Sequence, residues 1–360
     1  MTATSDLDLP SGARRSFNNF DALRVLAAAS VIFSHSFFIA EGNERHEPLI
    51  VLSGRQSILG LAGVFVFFAI SGFLVTQSYE QTRSPWRYLA KRMLRIFPGL
   101  VLALVLSGFV LAPMVTTLPL GKFLTSAAPY RYVFWNTLLD LRQHELPGVM
   151  FVDNPVGLEV NGSLWTLRYE FEMYLMVLVL GVTGLLRLPV LIALWAVGLA
   201  CIGVPAFGVL GGWGWMLSFF VSGMILYKLR GTRVFDGRVA LAALAGLVLT
   251  VRFGGFIQLF SLFGSYLALW FALNRRLPHI PAARFGDLSY GLYIYGWPAE
   301  AAVIWALGGR APWWEVFALG LALAAALAFV SWHLVEEKAL RLKPRGRAAL
   351  APAAEIARAA

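Results

Sequence analysis

Arg24 and His35 lie eleven residues apart in apolar sequence, an interval that sets both on one face of a helix. At 100° per residue, eleven steps finish within about 20° of three full turns, with a rise of about 16 Å between the side chains. Histidine titrates near physiological pH and is a frequent proton acceptor, so His35 is the candidate general base. A buried histidine hydrogen-bonded across helices would leave the same trace. A second constellation is Lys91, Arg92 and Arg95. Arg92 and Arg95 are one turn apart, as are Lys91 and Arg95, so they can converge on one anion. Paired guanidinium groups grip phosphate bidentately, although basic residues flanking a membrane segment also serve topology alone. A third is Glu170, which enters apolar sequence beside Glu172. Arg168 can pair with Glu172 at i,i+4. That leaves Glu170 in need of a basic residue on a neighbouring helix, or of a substrate.

These groups matter because of what surrounds them. Of 360 residues, 58% are hydrophobic and 14% charged, against roughly a quarter charged in a soluble domain. About 20 apolar residues cross a bilayer as a helix, and such runs fall at about 20–40, 59–79, 96–115, 164–186, 188–207, 212–229, 238–253, 256–274, 286–308 and 313–335. They are continuous rather than alternating, which excludes barrel strands. The expectation is an all-α integral membrane protein, a bundle of about ten transmembrane helices. Within such spans an ionisable group costs about 2.5–3.5 kcal/mol, so Asp21, Arg24 and His35 in the first span are functional candidates.

The net charge of +10 lies in short loops and tails, where it orients a membrane protein rather than binding nucleic acid. Arg14, Arg15, the stretch Arg83 to Arg95, Arg187, Lys228 to Arg238, Arg275, Arg276, Arg284 and the tail from Lys338 collect on one side. The expected topology therefore has both termini cytoplasmic in a bacterial inner membrane. Residues 1–18 form a cytoplasmic tail without a cleavable signal, 19–343 the membrane domain and 344–360 a loose cytoplasmic tail. The segment 116–163 is an extracytoplasmic loop, expected to be an ordered cap, with turns at Leu146-Pro147-Gly148-Val149 and Asp153-Asn154-Pro155. The single cysteine, Cys201, excludes an intrachain disulfide. His46, His144, His279 and His333 are scattered, with no metal-ligand spacing. Phosphate loops of the Walker and dinucleotide types are absent, and no internal repeat suggests a duplicated transporter.

Ordered blocks along the chain resemble the membrane-bound acyltransferase family 3. They are Phe20-Asp21-Ala22-Leu23-Arg24 with His35, Gly63-Val64-Phe65-Val66-Phe67-Phe68-Ala69-Ile70-Ser71-Gly72-Phe73-Leu74, and Lys91-Arg92 through Pro98. Further along stand Leu146-Pro147-Gly148-Val149 followed by Asn161-Gly162-Ser163-Leu164-Trp165-Thr166-Leu167 with Glu170, and Leu288-Ser289-Tyr290-Gly291-Leu292-Tyr293-Ile294-Tyr295-Gly296-Trp297-Pro298. Val335-Glu336-Glu337 closes the series. Any one block is weak, because small residues recur at helix interfaces; their shared order over about 17–343 carries the likeness. Two positions depart from it: Arg168, where many relatives carry a small residue or Pro, and Gly296, where some carry a second histidine.

The resemblance implies an O-acyltransferase of cell-surface polysaccharides and related acceptors, with acyl-CoA, most often acetyl-CoA, as donor and no metal. It implies catalytic roles for His35 and Arg24. The CoA phosphates would dock at Arg92 and Arg95, with Arg24 beside them, and the pantetheine arm would run up the stripe toward His35. Glu170, Trp165, Ser71 and Tyr290 are expected as substrate-binding or structural polar groups. The partners implied are acyl-CoA, a glycan or other hydroxyl acceptor and the bilayer. His35 would act as general base or as an acyl relay. A transporter or flippase of a lipid-linked saccharide is the rival reading, and it predicts flux without CoA binding.

Overall fold

The computed structural model describes residues 18–82, 84–140, 145–151, 159–202, 208–232 and 234–344. The expected tails lie almost entirely outside these, as do Arg83, His144 and the Asp153-Asn154-Pro155 turn. The chain is helical: α1 (Phe20–Glu41), α2 (Pro48–Leu52), α3 (Leu59–Thr82), α4 (Pro85–Val115), α5 (Leu120–Thr125), α6 (Ala128–Thr137) and α7 (Trp165–Val182). It continues through α8 (Leu188–Cys201), α9 (Gly208–Lys228), α10 (Gly237–Phe253), α11 (Phe256–Leu273), α12 (Ser289–Ala306) and α13 (Trp313–Arg341). Among the described residues the only β pairing is two isolated antiparallel bridges, Thr116 with Val149 and Glu145 with Glu159.

Each expected apolar run overlaps a helix, residues 203–207 of the run at 188–207 lying outside the described residues, and α1, α3, α4, α11 and α13 are long and apolar enough to cross a membrane. The protein is an all-α, multi-pass membrane protein. Among the described residues two boundaries differ most from expectation. The run expected at 96–115 begins at Pro85, which occupies the first turn, where the ring needs no N–H and its φ suits a helix. The basic cluster Arg87 to Arg95 therefore rides on α4 instead of preceding it. The last helix runs past 335 to Arg341 through a π turn, Trp332–Glu336. In the 116–163 segment, α5 and α6 are ordered and Tyr132 is buried, whereas Tyr130, Phe134 and Trp135 are exposed. Leu146 to Val149 is a turn, with Gly148 at φ +70°.

Helix α1 is the inner strut, packed against α3, α12 and α13. Apolar surface alone does not drive helices together in lipid, so small residues and internal hydrogen bonds set the contacts. On α3 and α9, Gly72 and Gly223 bring the backbones together. A Cβ on Gly72 would strike the Phe220 carbonyl, and one on Gly223 the Ala69 carbonyl. At the far end of α1, fully buried Glu47 accepts hydrogen bonds from Ile50 N (2.9 Å), Leu59 N (2.9 Å) and Ser34 Oγ (3.2 Å), knotting α1, α2 and α3.

Proline chemistry locks the 161–163 block to α12. Pro298 has no N–H, so the Ile294 carbonyl one turn earlier loses its helical donor. Asn161 supplies the replacement through Nδ2, at 2.9 Å. Asn161→Ala should therefore cost about 1–3 kcal/mol, as for a buried carbonyl left unpaired, and lower the melting midpoint in detergent. In a Pro298→Ala background, where the substituted alanine restores the N–H, the same change should cost clearly less; an equal cost in both backgrounds would contradict the pairing.

Candidate active site

Two cavities with polar walls lie along α1, one at each end, and they differ in charge; a third space beside α1, lined by Leu23, Leu26, Ala27 and Ser30, is almost wholly apolar. The first, of about 390 Å³, is lined by Arg24, Arg92, Arg95 and Lys343. It draws its walls from α1, α3, α4, α7 and α12 and from the end of α13. The second, of about 270 Å³, holds His35 with Glu44, Glu159, Trp165 and Trp297. Val64 and Tyr293 line both, so they form the partition, and the Tyr293 hydroxyl is fixed 2.6 Å from Thr166 Oγ1. Arg24 and His35 thus share one helix face and serve opposite cavities.

In the first cavity Asp287 organises the cations. Arg95 Nη2 reaches its Oδ2 at 2.7 Å and Arg24 Nη1 at 3.8 Å, and Ser289 Oγ donates to Oδ1 at 2.7 Å. One carboxylate between α11 and α12 thereby holds side chains from α1 and α4. The Arg95 guanidinium also lies 5.6 Å from the Tyr290 ring and that of Arg92 5.6 Å from the Tyr174 ring, within cation–π range. Buried Arg92 Nε makes no hydrogen bond with a described residue. Glu170 accepts from Ser71 Oγ at 3.3 Å and from the Tyr174 hydroxyl. Its partners are hydroxyls rather than the basic residue considered above. Tyr290 donates to the Ile96 carbonyl at 2.8 Å, and Gly99 leaves room for that ring and for Glu336. Four cations face Asp287 and Glu170 in this wall. Lys343 lies beyond α13; burial together with the charges of Arg95 and Arg92 pulls its ammonium down to about 8.

The second cavity is spare in polar groups. His35 Nδ1 stands 4.0 Å from Glu300 Oε2, and Glu300 is fully buried. Neither His35 Nδ1 nor either Glu300 oxygen has a hydrogen bond to a described residue. The imidazole meets the Trp297 indole edge-on at 5.0 Å, and Trp297 Nε1 donates to the Glu159 carbonyl at 3.1 Å. Trp165 lines the same cavity, its ring 5.9 Å from Tyr169. Gly296 lets Ile32 of α1 come close; a Cβ there would stand 2.8 Å from Ile32 Cγ1.

Among the residues singled out from sequence, Arg24, Arg92, Arg95, Glu170, Ser71 and Tyr290 gather in the first cavity, and His35 and Trp165 in the second. Lys91 does not join them: its ammonium donates to Thr82 Oγ1 at 2.8 Å, because it projects to the side of α4 facing the end of α3. Arg168 and Glu172 pair at 2.9 Å on the exposed surface, as their spacing implied. His46, His279 and His333 line neither cavity. Among the described residues no three His, Cys, Asp or Glu side chains converge as metal ligands. Sequence reasoning passed over Asp287, Glu300 and Lys343. Glu300 carried a usable signal, since it is an acid inside the apolar run 286–308, the criterion that singled out Asp21. Asp287 carried the same signal, standing second in that run as Asp21 stands second in the run 20–40, whereas Lys343 flanks a helix as ordinary terminal charges do and only its convergence with the arginines distinguishes it.

The sequence profile of acyltransferase family 3, an acyltransferase domain, matches residues 17–333. The chain belongs to that family. This membrane acyltransferase is 28% identical to nodulation protein 10 of Rhizobium leguminosarum bv. viciae over 370 residues, which cover 91% of this chain and 94% of the relative. It is 26% identical to the O-acetyl transferase of Shigella phage Sf6 over 336 residues, 90% of this chain and 96% of that protein. No solved structure matches it.

The lowered ammonium of Lys343 predicts that anion binding in the first cavity depends on pH. Below about 8 its ammonium is charged and adds to the three arginines; above, the arginines act alone. Affinity for adenosine 3′,5′-bisphosphate, whose phosphates are fully ionised above pH 7.5, should fall about two- to fivefold from pH 7.5 to 9, the size of one partly exposed ion contact. Lys343→Met should remove that slope. A wild type whose affinity is flat across the interval would contradict this role for Lys343.

Proposed function

We propose that this acyltransferase moves an acyl group, most often acetyl, from cytoplasmic acyl-CoA to a hydroxyl of a cell-envelope glycan. In this reading the chain crosses a bacterial inner membrane about ten times, with both termini cytoplasmic. The observation that carries it is the pair of oppositely charged cavities on one helix face, divided by Tyr293 and Val64. The cationic cavity suits the phosphates of CoA, and it lies at the end of the molecule bearing the basic residues that the positive-inside rule assigns to the cytoplasm. The Sf6 relative is named for O-acetyl transfer, and that chemistry is what His35 and its surroundings can perform.

The phosphates would be gripped by Arg92 and Arg95, with Arg24 and Lys343 adding charge. Arg92 keeps a buried Nε free to donate. The pantetheine arm, of comparable reach to the 16 Å or so between Arg24 and His35, would pass the partition and present the thioester beside the imidazole. The acceptor hydroxyl would enter from the opposite cavity. As its oxygen attacks the thioester carbonyl carbon, its proton passes to His35. Collapse of the tetrahedral adduct breaks the C–S bond, and the departing thiolate takes that proton. Glu300, facing Nδ1 across 4.0 Å, would hold the imidazole with its Nδ1 proton inward and leave Nε2 basic. That arrangement favours a general base over an acyl relay. Arg24 would act through the donor's charge and through its contact with Asp287. The Thr166–Tyr293 pair is the nearest source of a hydroxyl donor for the oxyanion.

Membranes carrying the wild type should move radiolabel from acetyl-CoA to the envelope glycan fraction. At matched expression His35→Ala should lose about 10²- to 10⁴-fold, the usual worth of a general base. Arg92→Ala with Arg95→Ala should raise the KM for acetyl-CoA with less effect on kcat. Label transfer unchanged by His35→Ala would sink the mechanism. No label from any form, with saccharide flux instead, would favour the transporter.

A further inference from the structure

We infer that the acceptor taken up beside His35 is a sugar without negative charge, a neutral or amino-bearing pyranoside rather than a uronic acid. The inference rests on the reading of that cavity as the acceptor site, and it names the substrate class there.

Among the described residues the cavity wall contains two carboxylates, Glu44 and Glu159, and no lysine or arginine. Neither carboxylate has a hydrogen bond or ion pair to a described basic residue. The neighbouring Arg45 and Arg55 line a separate depression with Ile50, Val51 and Gly54. Ionised carboxylates only accept hydrogen bonds. They suit sugar hydroxyls or an ammonium group, all of which donate. A uronate would add a third like charge in a partly desolvated pocket, where Coulomb repulsion is several times stronger than in water. Glu44 already registers that strain: burial and the nearby Glu47 both push its carboxyl upward from the usual range.

The remaining wall fits the body of a pyranose. Trp165, Trp297 and Phe38 present rings, and the C–H faces of a sugar pack well on aromatic surface. The geometry is held in place rather than incidental. Trp297 is tied to the Glu159 backbone, and Gly162 leaves room for the Glu159 carboxylate, whose Oε2 stands 2.7 Å from where a Cβ would be. His35 lines the same region, with its Nδ1 on the side of Glu300. The two ends of the molecule therefore sort substrates by charge. Polyanionic CoA suits the arginine cavity and is repelled from the carboxylate one, so the acceptor cannot be displaced by a second donor molecule.

The test is saturation-transfer NMR on the detergent-solubilised full chain with three glycosides differing in one group: methyl glucopyranoside, methyl glucosaminide and methyl glucuronide. The expected result is binding of the first two, with the glucuronide at least tenfold weaker. In the Glu44→Gln, Glu159→Gln double variant the gap should narrow to less than threefold. A melting midpoint in detergent close to that of the wild type would certify that the variant is folded. A glucuronide bound as well as the glucoside overturns the inference, and so does binding of none of the three. Discrimination among the sugars without any acetyl transfer would instead sink the enzymatic reading and leave this one standing. Acetyl transfer with equal turnover of glucoside and glucuronide would do the reverse.

Discussion

Everything polar inside this bundle must be answered by the protein, because lipid answers nothing. The consequence is clearest at Asp287. It meets Arg95 at 2.7 Å and Arg24 at 3.8 Å while accepting from Ser289, and so draws α1, α4 and α12 to one point. The same demand puts Asn161 on the carbonyl that Pro298 strands and three donors on Glu47. These bonds fix the helices around α1, and the cavities are the spaces they leave. Among the described buried polar atoms without a partner, His35 Nδ1 and Arg92 Nε belong to residues that line those spaces, and Glu300 stands 4.0 Å from His35. Buried polar atoms without partners are costly, and those of His35 and Arg92 sit in the walls of the two cavities, where a ligand could satisfy them.

The opposition of the two cavities follows from the same demand. Positive residues can stay at the end where the basic loops gather, and there they line a pocket for an anion. At the other end the charges are carboxylates and one imidazole, set among indole rings. Between them the barrier is thin in chemical terms: Val64 and the hydrogen-bonded Thr166–Tyr293 pair. A long, narrow donor that is charged at one end and reactive at the other could reach across, with its phosphates remaining among the arginines.

Much of this was legible in the residues. The helical runs followed from continuous hydrophobicity, and the Arg24–His35 stripe from the helical period, because α1 is regular over its whole length. The Arg92–Arg95 convergence came from their one-turn spacing. Lys91 shared that spacing and went elsewhere, since a long flexible chain takes the nearest partner, here Thr82. The start of α4 at Pro85 was obscured by charges that hydropathy treats as loop. Lys343 was hidden for a different reason. Its importance lies in contacts between chain segments far apart in sequence, and no local pattern reports those. Asp287 and Glu300 were available to the rule that picked out Asp21, but their carboxylates gain meaning only opposite Arg95 and His35.

If the proposed chemistry holds, donor and acceptor meet from opposite sides of one membrane. Sealed proteoliposomes of uniform protein orientation decide the matter, with labelled acetyl-CoA confined to the side of Arg92 and the acceptor glycan to the side of His35. Label should accumulate on the glycan while CoA stays in its own compartment, and exchanging the two compartments should abolish transfer. Transfer that requires both substrates on the same side would refute the two-sided arrangement.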